Sequence, residues 1–194
     1  MGSVALPSTM KAAQWDPKQS RVVVNQIAVP EPKPNQVLVK MASASLCHSD
    51  IIAIEVPGRQ EAFTLGHEGA GYAHSIGSAV PKDKIDFKEG DPIGFLYINN
   101  CCFECEGCEI HNTLCENGQA AIAGFGEFGF FAEYAAVDWQ NVCLLPKELD
   151  PKKSSAIFCA GITGTFHDVL IFDLTLADYP HSSSRSQIMQ PRTG

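Results

Sequence analysis

A tight group of cysteines constrains the folding of this chain more than any other feature. Cys102, Cys105 and Cys108 follow one another at intervals of two intervening residues, and Cys115 comes after six more. This spacing puts three thiols in one loop and lets the fourth complete a tetrahedron around a zinc ion. Four cysteine ligands close such a site, so the pattern predicts structural zinc. Using Cys101 in place of Cys102 would give a first interval of three residues, which is less usual.

The other cysteines fit the same interpretation. The chain has eight cysteines in 194 residues. In a reducing compartment, thiols are more often metal ligands or buried side chains than disulfides. Residues 1–6 lack the build of a signal peptide, and no run of roughly 18 apolar residues could span a bilayer. We therefore expect a soluble, cytoplasmic protein.

Composition sets limits on the class of protein. Hydrophobic residues make up 45% of the chain and charged residues 19%, which is enough apolar material for a core. The length allows one large domain or one domain with an extension. The net charge of -8 argues against nucleic acid or an anionic membrane as a partner.

Three dispersed segments each offer a ligand for a second metal ion. Cys47 and Cys159 would supply thiolates, and His67 would supply an imidazole between glycines that let the backbone come close to the ion. Two thiolates and one imidazole leave one tetrahedral position free, which is the pattern of a catalytic zinc. Taken singly, each residue is explained as well by a structural histidine or a buried thiol.

The pattern along the chain is mainly that of short strands. Alternation of apolar and polar residues and flanking turn residues predict strands near residues 21–24, 36–41, 71–73, 93–98, 130–134 and 142–144. The first strong helix signal comes late, with Asp150 as N-cap and Pro151 at the first helical position.

One glycine string needs separate treatment. Gly124, Gly126 and Gly129 form a Gly-x-Gly-x-x-Gly sequence, which in other contexts binds dinucleotides. A β-like segment follows it here instead of a helix. The string therefore predicts a glycine-rich turn between strands.

These motifs together resemble those of a known family. Gly66, His67 and Glu68, with Gly71 and Gly77, resemble the zinc signature of the zinc-dependent alcohol dehydrogenases in the medium-chain dehydrogenase/reductase superfamily. Residues 47–50 resemble the first catalytic-zinc segment of the yeast-like, fungal members, and residues 159–163 are similar to the segment with the last ligand. The four-cysteine loop lies where the family has its structural zinc lobe.

The resemblance implies a fold. It is mainly β (α+β), with a GroES-like β-barrel over residues 10–165 that carries the structural zinc lobe at about residues 99–118. Residues 1–9 are expected to be an N-terminal tail, and residues 166–194 a divergent, partly disordered tail. Because the likeness stops after Thr165, we expect the Rossmann domain that follows in the family to be absent.

The resemblance also implies metal ligands. Cys47, His67 and Cys159 would hold a catalytic zinc, and Glu68 would ligate it transiently when the fourth ligand exchanges. The four-cysteine loop would hold a second, structural zinc, so two zinc ions are expected per chain. A substrate alcohol or water would occupy the open position of the first.

Further roles follow from matching positions. Ser49 would take the alcohol proton, and Asp50 would orient His67 through its second ring nitrogen. His48 lies where family members contact the cofactor pyrophosphate, although an ordinary exposed histidine explains it equally well. Ile51 and Ile52 occupy the stretch where many relatives carry a relay histidine.

The implied activity is the oxidation of a small alcohol to an aldehyde or ketone with NAD(P). We expect the chain to be truncated and inactive alone, because NAD(P) would bind only if a Rossmann domain were supplied elsewhere. The alternative is a non-catalytic zinc-binding module that acts through a partner subunit.

Overall fold

Strands make up most of the fold. The computed structural model of the protein describes residues 6–165. Its strands are β1 (Thr9–Asp16), β2 (Arg21–Ala28), β3 (Gln36–Ser45), β4 (Phe63–Thr64), β5 (Glu68–Ile76), β6 (Pro92–Phe95), β7 (Ile98–Asn99), β8 (Ala121–Ile122), β9 (Tyr134–Asp138) and β10 (Val142–Leu144). This mostly β composition is the one the sequence predicts.

Helices are few and short in the described residues. They are α1 (His48–Ile54), α2 (Glu106–Ile110), three 3-10 turns at Asn112–Leu114, Trp139–Asn141 and Ser155–Phe158, and a helical stretch at residues 160–165, where the described part of the chain ends. Neither α1 nor α2 was predicted, because each is too short to display a helical period of apolar residues.

The strands form three sheets. A five-stranded sheet has the order β10-β6-β5-β3-β9, a three-stranded sheet has the order β2-β1-β4, and β7 pairs with β8. Each of these strand pairs is antiparallel. Residues 6–165 therefore contain no parallel β-α-β unit of the kind that a Rossmann domain is built from.

The segment at residues 130–134 differs from its predicted form. Only its last residue, Tyr134, belongs to a strand, which continues to Asp138. The preceding part instead bonds to β1, since the Ala13 N–H donates to the Phe131 carbonyl at 2.7 Å and the Glu133 N–H donates to the Lys11 carbonyl at 3.1 Å. This segment therefore connects the three-stranded and five-stranded sheets.

The strand predicted over residues 93–98 is interrupted. It ends at Phe95 and a new pairing begins at Ile98. Between them the Leu96 N–H donates to the carbonyl of Asn141 at 3.0 Å, so the chain leaves the β6 ladder. Alternation of side chains continues through such a break, which explains why the sequence did not reveal it.

The prediction of a helix that begins at Asp150 is wrong. The Asp150 side chain accepts the Lys152 N–H at 3.0 Å, and its carbonyl accepts the Lys153 N–H at 2.8 Å. These bonds close a turn, the 3-10 turn at Ser155–Phe158 follows, and α-helical backbone starts only at Ala160. Asp followed by Pro is as favourable in a turn as at a helix start, so the local signal was ambiguous.

Two phenylalanines lie at the centre of the core. The rings of Phe95 and Phe130 meet edge to face, with centroids 5.0 Å apart. Both are almost fully buried and pack in the cluster that includes Val37, Val39 and Val137. A Cβ atom on Gly69 would lie 2.5 Å from the Phe95 ring, so the glycine in β5 makes room for this ring.

The chain divides into two compact units, residues 1–161 and residues 162–194. The first contains every sheet named above. Of the second, the structure describes residues 162–165, which are helical. The predicted domain boundaries stay predictions, and the predicted tail at residues 166–194 lies outside the described residues. No helix among the described residues is long and apolar enough to cross a membrane.

The buried ring of Phe95 should dominate core stability. We expect Phe95→Ala to lower the free energy of unfolding by about 3–5 kcal/mol, because it removes a packed aromatic side chain and leaves a cavity. Phe128→Ala is the control, since this ring is 57% exposed and should cost under about 1.5 kcal/mol. Urea unfolding measures both, and equal losses would contradict the assigned core.

Candidate functional site

Four potential metal ligands from distant segments meet in one cluster. Cys47 precedes α1, His67 directly precedes β5, Glu68 is the first residue of β5, and Cys159 follows the last 3-10 turn. One ligand atom from each residue lies within 4.8 Å of the ligand atoms of the others. The structure thus brings together the dispersed residues that the sequence singled out.

The buried carboxylate of Asp50 accepts hydrogen bonds from two of the four residues in this cluster. It is fully buried and accepts three hydrogen bonds, from the Cys47 N–H at 2.9 Å, the Gly66 N–H at 3.0 Å and His67 Nδ1 at 3.2 Å. Burial alone would raise the pKa of Asp50, but the bonds from His67 and the backbone hold it below its usual value. A carboxylate only accepts hydrogen bonds, so Nδ1 carries the proton and Nε2 of His67 is the nitrogen left for a metal.

The charge of Asp50 also acts on the imidazole. Burial alone would lower the pKa of His67, but the Asp50 carboxylate raises it above its usual value. Asp50 therefore sets both the orientation and the basicity of the ring, as expected of a residue behind a metal ligand.

Glu68 is buried, and both of its carboxylate oxygens have partners within the protein. One accepts the Ser45 hydroxyl at 2.5 Å and the other accepts the Ala160 N–H at 3.0 Å. Ala160 directly follows Cys159, so Glu68 fixes the backbone beside that thiol. Neither partner was singled out from sequence, because no local pattern marks a contact between residues so far apart in the chain.

The pKa values of the two thiols in this cluster are shifted in opposite directions. Burial raises the pKa of Cys159 to about 12, and the neighbouring Cys47 adds to the rise. Burial would also raise the pKa of Cys47, but the Ser49 N–H and His67 lower it below its usual value. Two adjacent thiolates repel each other, and a divalent cation between them removes that repulsion. The donor set therefore fits a zinc ion.

Ser49 and His48, the other two residues predicted to act at the site, both lie at the beginning of α1 but face different surroundings. Ser49 lies beside the cluster, with its Oγ atom 3.8 Å from Cys47 Sγ. His48 is exposed at the first position of the helix. Ile51 and Ile52 are 49% and 53% exposed. The structure thus brings Ser49 to the site and leaves the His48 side chain at the surface.

The four clustered cysteines also converge. Their sulfur atoms all lie within 4.8 Å of one another. Cys102 Sγ is 3.9 Å from Cys108 Sγ and 3.6 Å from Cys115 Sγ. Zinc bonded tetrahedrally to sulfur at about 2.3 Å places the sulfurs about 3.8 Å apart. The spacing therefore matches a zinc–thiolate tetrahedron and is far too long for disulfides.

Backbone N–H groups stabilise the thiolate form of Cys105 in this loop. Cys105 Sγ accepts the N–H groups of Glu116 and Cys108, both at 3.4 Å, and these bonds lower the pKa of Cys105 to about 7. Burial raises the pKa of Cys108 to about 12, and a hydrogen bond with Cys115 adds to the rise. Four thiolates are unfavourable here without a cation, so this donor set also fits zinc.

Cys101 and Cys102 differ in their burial and in their neighbours. Cys102 is in the sulfur cluster, whereas Cys101 is only 7% exposed and donates to the Asn112 carbonyl at 3.4 Å. Burial raises the pKa of Cys101 to about 11. The more usual interval of two residues is therefore the one found in the structure.

Comparison with known proteins then identifies the family. Residues 33–147 match the family described as the alcohol dehydrogenase GroES-like domain. The chain belongs to this family. The assignment places it in the medium-chain dehydrogenase/reductase superfamily and accounts for its mostly β fold.

Individual relatives agree with that assignment. An alcohol dehydrogenase of Rhizobium meliloti (strain 1021) is 34% identical over 159 residues, which cover 80% of this chain and 45% of that protein. A structure of a zinc-binding dehydrogenase from Sinorhizobium meliloti 1021, bound to NADP, is 31% identical with a TM-score of 0.60 and covers 75% of this chain and 41% of the other. The chain thus spans less than half the length of these relatives.

A more distant structure supports the fold alone. Acetophenone reductase from Geotrichum candidum NBRC 4597, in complex with NAD, has a TM-score of 0.72 at 22% identity. The match covers 85% of this chain and 49% of that protein.

Aromatic rings enclose the imidazole in this GroES-like domain. The Tyr97 ring meets the His67 ring edge-on at 5.4 Å, and the Phe125 ring lies 5.9 Å away. Burial raises the pKa of Tyr97, and the thiols of Cys159 and Cys47 add to the rise. Neither aromatic residue was singled out from sequence, since isolated aromatic residues near strands are common in cores.

The glycine string forms a turn, as the sequence predicted. The Gly124 N–H donates to the Glu127 carbonyl at 2.9 Å, and Gly124 has φ of +80°. The segment lies between β8 and β9, and no helix follows it before β9 begins. It therefore lacks the helix N-terminus that a dinucleotide pyrophosphate requires.

The three bonds to Asp50 should make it a large contributor to stability. In chelator-treated protein, we expect Asp50→Asn to lower the free energy of unfolding by about 3–5 kcal/mol, because the buried partners lose their carboxylate. Asp83→Asn removes the same charge at an exposed position and should have little effect. Urea unfolding measures both variants.

The cost of Asp50→Asn should also depend on pH. The lowered pKa of Asp50 stabilises the fold above the unfolded value of about 3.9, and this is lost as pH falls through the folded value. The raised pKa of His67 stabilises the fold below about 6.5 and is lost as pH rises through its folded value. The difference from wild type should be widest near about pH 5–6, and a pH-independent difference would contradict the ion pair.

Proposed function

We propose that this chain is the zinc-binding part of a zinc-dependent alcohol dehydrogenase of the yeast-like type. The observation that carries the proposal is the convergence of Cys47, His67 and Cys159. Two thiolates and one imidazole leave zinc one open position, as a catalytic site requires. The alcohol dehydrogenase and the zinc-binding dehydrogenase among the relatives support the same activity.

The proposed reaction oxidises a small alcohol to an aldehyde or ketone. The alcohol loses a hydride to NAD(P)⁺ and a proton to the protein, which yields the carbonyl compound and NAD(P)H. Zinc would supply Lewis-acid chemistry by lowering the pKa of the alcohol in the open position.

Residues of the chain divide the remaining tasks. Ser49 lies beside Cys47 and would accept the alcohol proton. Asp50 keeps His67 in the tautomer whose Nε2 faces the metal. Glu68 holds the Cys159 segment through its bond to the Ala160 N–H, and it would ligate zinc transiently when the fourth ligand exchanges. His48, exposed at the start of α1, would contact the cofactor pyrophosphate.

The four-cysteine loop would hold the second zinc. Its four sulfurs fill a tetrahedral shell, so no position remains for a substrate. The role proposed for this zinc is therefore structural: it fixes the loop that contains α2.

Metal analysis tests the two sites separately. We expect about two zinc ions per chain in the purified protein, falling to about one in Cys47→Ser and about one in Cys105→Ser. The physical reason is that each substitution removes one thiolate from a different shell. Cys143→Ser is the matched control, because this free cysteine is exposed and outside both clusters. One zinc or none in the wild-type protein would contradict the proposal.

Turnover tests the dependence on a separate cofactor domain. We propose that the 194-residue chain alone does not reduce NAD(P)⁺ with ethanol, since residues 6–165 contain no dinucleotide-binding unit. The measurement is the absorbance of the reduced nicotinamide over time, with zinc content confirmed in the same sample. Turnover that disappears in His67→Ala would contradict this expectation and indicate a cofactor site on the chain itself.

The same experiment weighs the alternative function. A chain that binds two zinc ions, shows no turnover and recovers none with a dinucleotide-binding domain added would favour a non-catalytic zinc-binding module that acts through a partner subunit.

A further inference from the structure

The turn at residues 124–129, here called the glycine loop, packs against the backbone that precedes His67. A Cβ atom on Gly129 would overlap the Gly66 carbonyl oxygen, and one on Gly124 would lie 2.9 Å from the same oxygen. Gly66 itself has φ of +95°, and a Cβ there would lie 2.7 Å from the ring of Phe131. The backbone segments at Gly66, Gly124 and Gly129 therefore lie too close together for a side chain on Gly124 or Gly129.

Hydrogen bonds continue this contact along the chain. The Gly129 N–H donates to the Thr64 carbonyl at 2.8 Å, and the Phe130 N–H donates to the Gly66 carbonyl at 2.9 Å. On the opposite side, the Gly66 N–H donates to Asp50 at 3.0 Å. The peptide before His67 is thus held between the glycine loop and Asp50.

The glycine loop is itself held by other segments. The Glu127 carboxylate accepts the side-chain amide of Asn99 at 3.1 Å and that of Asn100. The Arg59 guanidinium donates to the Phe125 carbonyl at 3.0 Å and lies over the Phe63 ring, 3.6 Å from its centroid. These contacts prevent the loop from moving away from Gly66.

We propose that the glycine loop is a positioning element for the metal ligand His67. A Cβ atom on Gly124 or Gly129 would crowd the backbone of Gly66, and Gly124 in addition has φ of +80°. Phe125, between the two glycines, places its ring beside the imidazole. Gly126 differs, since a Cβ there would lie 3.4 Å from Ala121 Cβ, in ordinary contact. The inference rests on the proposed zinc site for the identity of the ligand that the loop positions.

Alanine substitutions within the same loop test this role. Gly129→Ala and Gly124→Ala should each weaken cobalt(II) binding at the Cys47–His67–Cys159 site by about 10–100-fold, the range expected when the support of a metal ligand is lost. Gly126→Ala is the matched control and should bind cobalt as the wild type does. All variants should keep one metal ion in the four-cysteine loop, measured by chelator competition, and their circular dichroism spectra should match that of the wild type, which shows that the sheets persist.

A second readout does not depend on the metal. The ring protons of His67 lie beside the aromatic rings of Tyr97 and Phe125, so their NMR shifts in metal-free protein report the position of the imidazole. These shifts should change in Gly124→Ala and remain unchanged in Gly126→Ala. Should Gly129→Ala fail to fold, Gly124→Ala decides the question, since its new contact is milder. Gly118→Ala controls for the strain of a positive φ, because Gly118 has φ of +68° and a Cβ atom there would meet nothing within 4 Å.

The outcomes separate this inference from the proposed function. Wild-type metal affinity and unchanged His67 shifts in folded Gly124→Ala would overturn the positioning role. A wild-type chain that takes up no metal at Cys47, His67 and Cys159 would refute the proposed function, while the His67 shifts would still decide whether the loop positions the ring.

Discussion

The buried carboxylate of Asp50 is the interaction on which the site depends. A charge removed from water is costly unless hydrogen bonds replace its hydration. Here the replacement comes from the Cys47 N–H, the Gly66 N–H and the His67 ring. Since all three must be in place together, satisfying Asp50 fixes the start of α1, the turn at Gly66 and the orientation of the imidazole. Two of the proposed zinc ligands are therefore positioned by one carboxylate.

The two cysteine-containing clusters differ in how far apart their residues lie in the sequence. The four-cysteine loop is local in sequence, and backbone N–H groups help to stabilise its thiolates. The other cluster draws on α1, β5 and the segment after the last 3-10 turn, so it exists only when the sheets are assembled. The side chains of Asn99 and Asn100 bond to Glu127, which ties the beginning of the four-cysteine lobe to the glycine loop beside His67.

Sequence predicts this fold best where the signal is local. The strand at β10 has the predicted bounds, and Cys102, which the interval of two residues favoured, lies in the sulfur cluster. Signals failed where a short-range pattern has two physical outcomes, as at Asp150, whose side chain caps a turn. The capping interaction of Asp50 at α1 went unrecognised because the helix is only seven residues long.

Contacts between distant segments could not be predicted in the same way. Ser45 and Ala160 meet only at Glu68, and Tyr97 and Phe125 meet only at His67. No periodicity or spacing records such meetings, because they result from the packing of whole sheets. Family order nevertheless named the residues that converge in the two clusters, since each lies in a short motif of its own.

Anomalous diffraction at the zinc edge from crystals of the purified protein would test the central claim most directly. The account predicts one zinc bonded to Cys47 Sγ, His67 Nε2 and Cys159 Sγ with a fourth, non-protein ligand, and His67 Nδ1 bonded to Asp50. A second zinc should lie among the four clustered cysteines. Absence of zinc from the first site, or a His67 ring turned away from Asp50, would contradict the account.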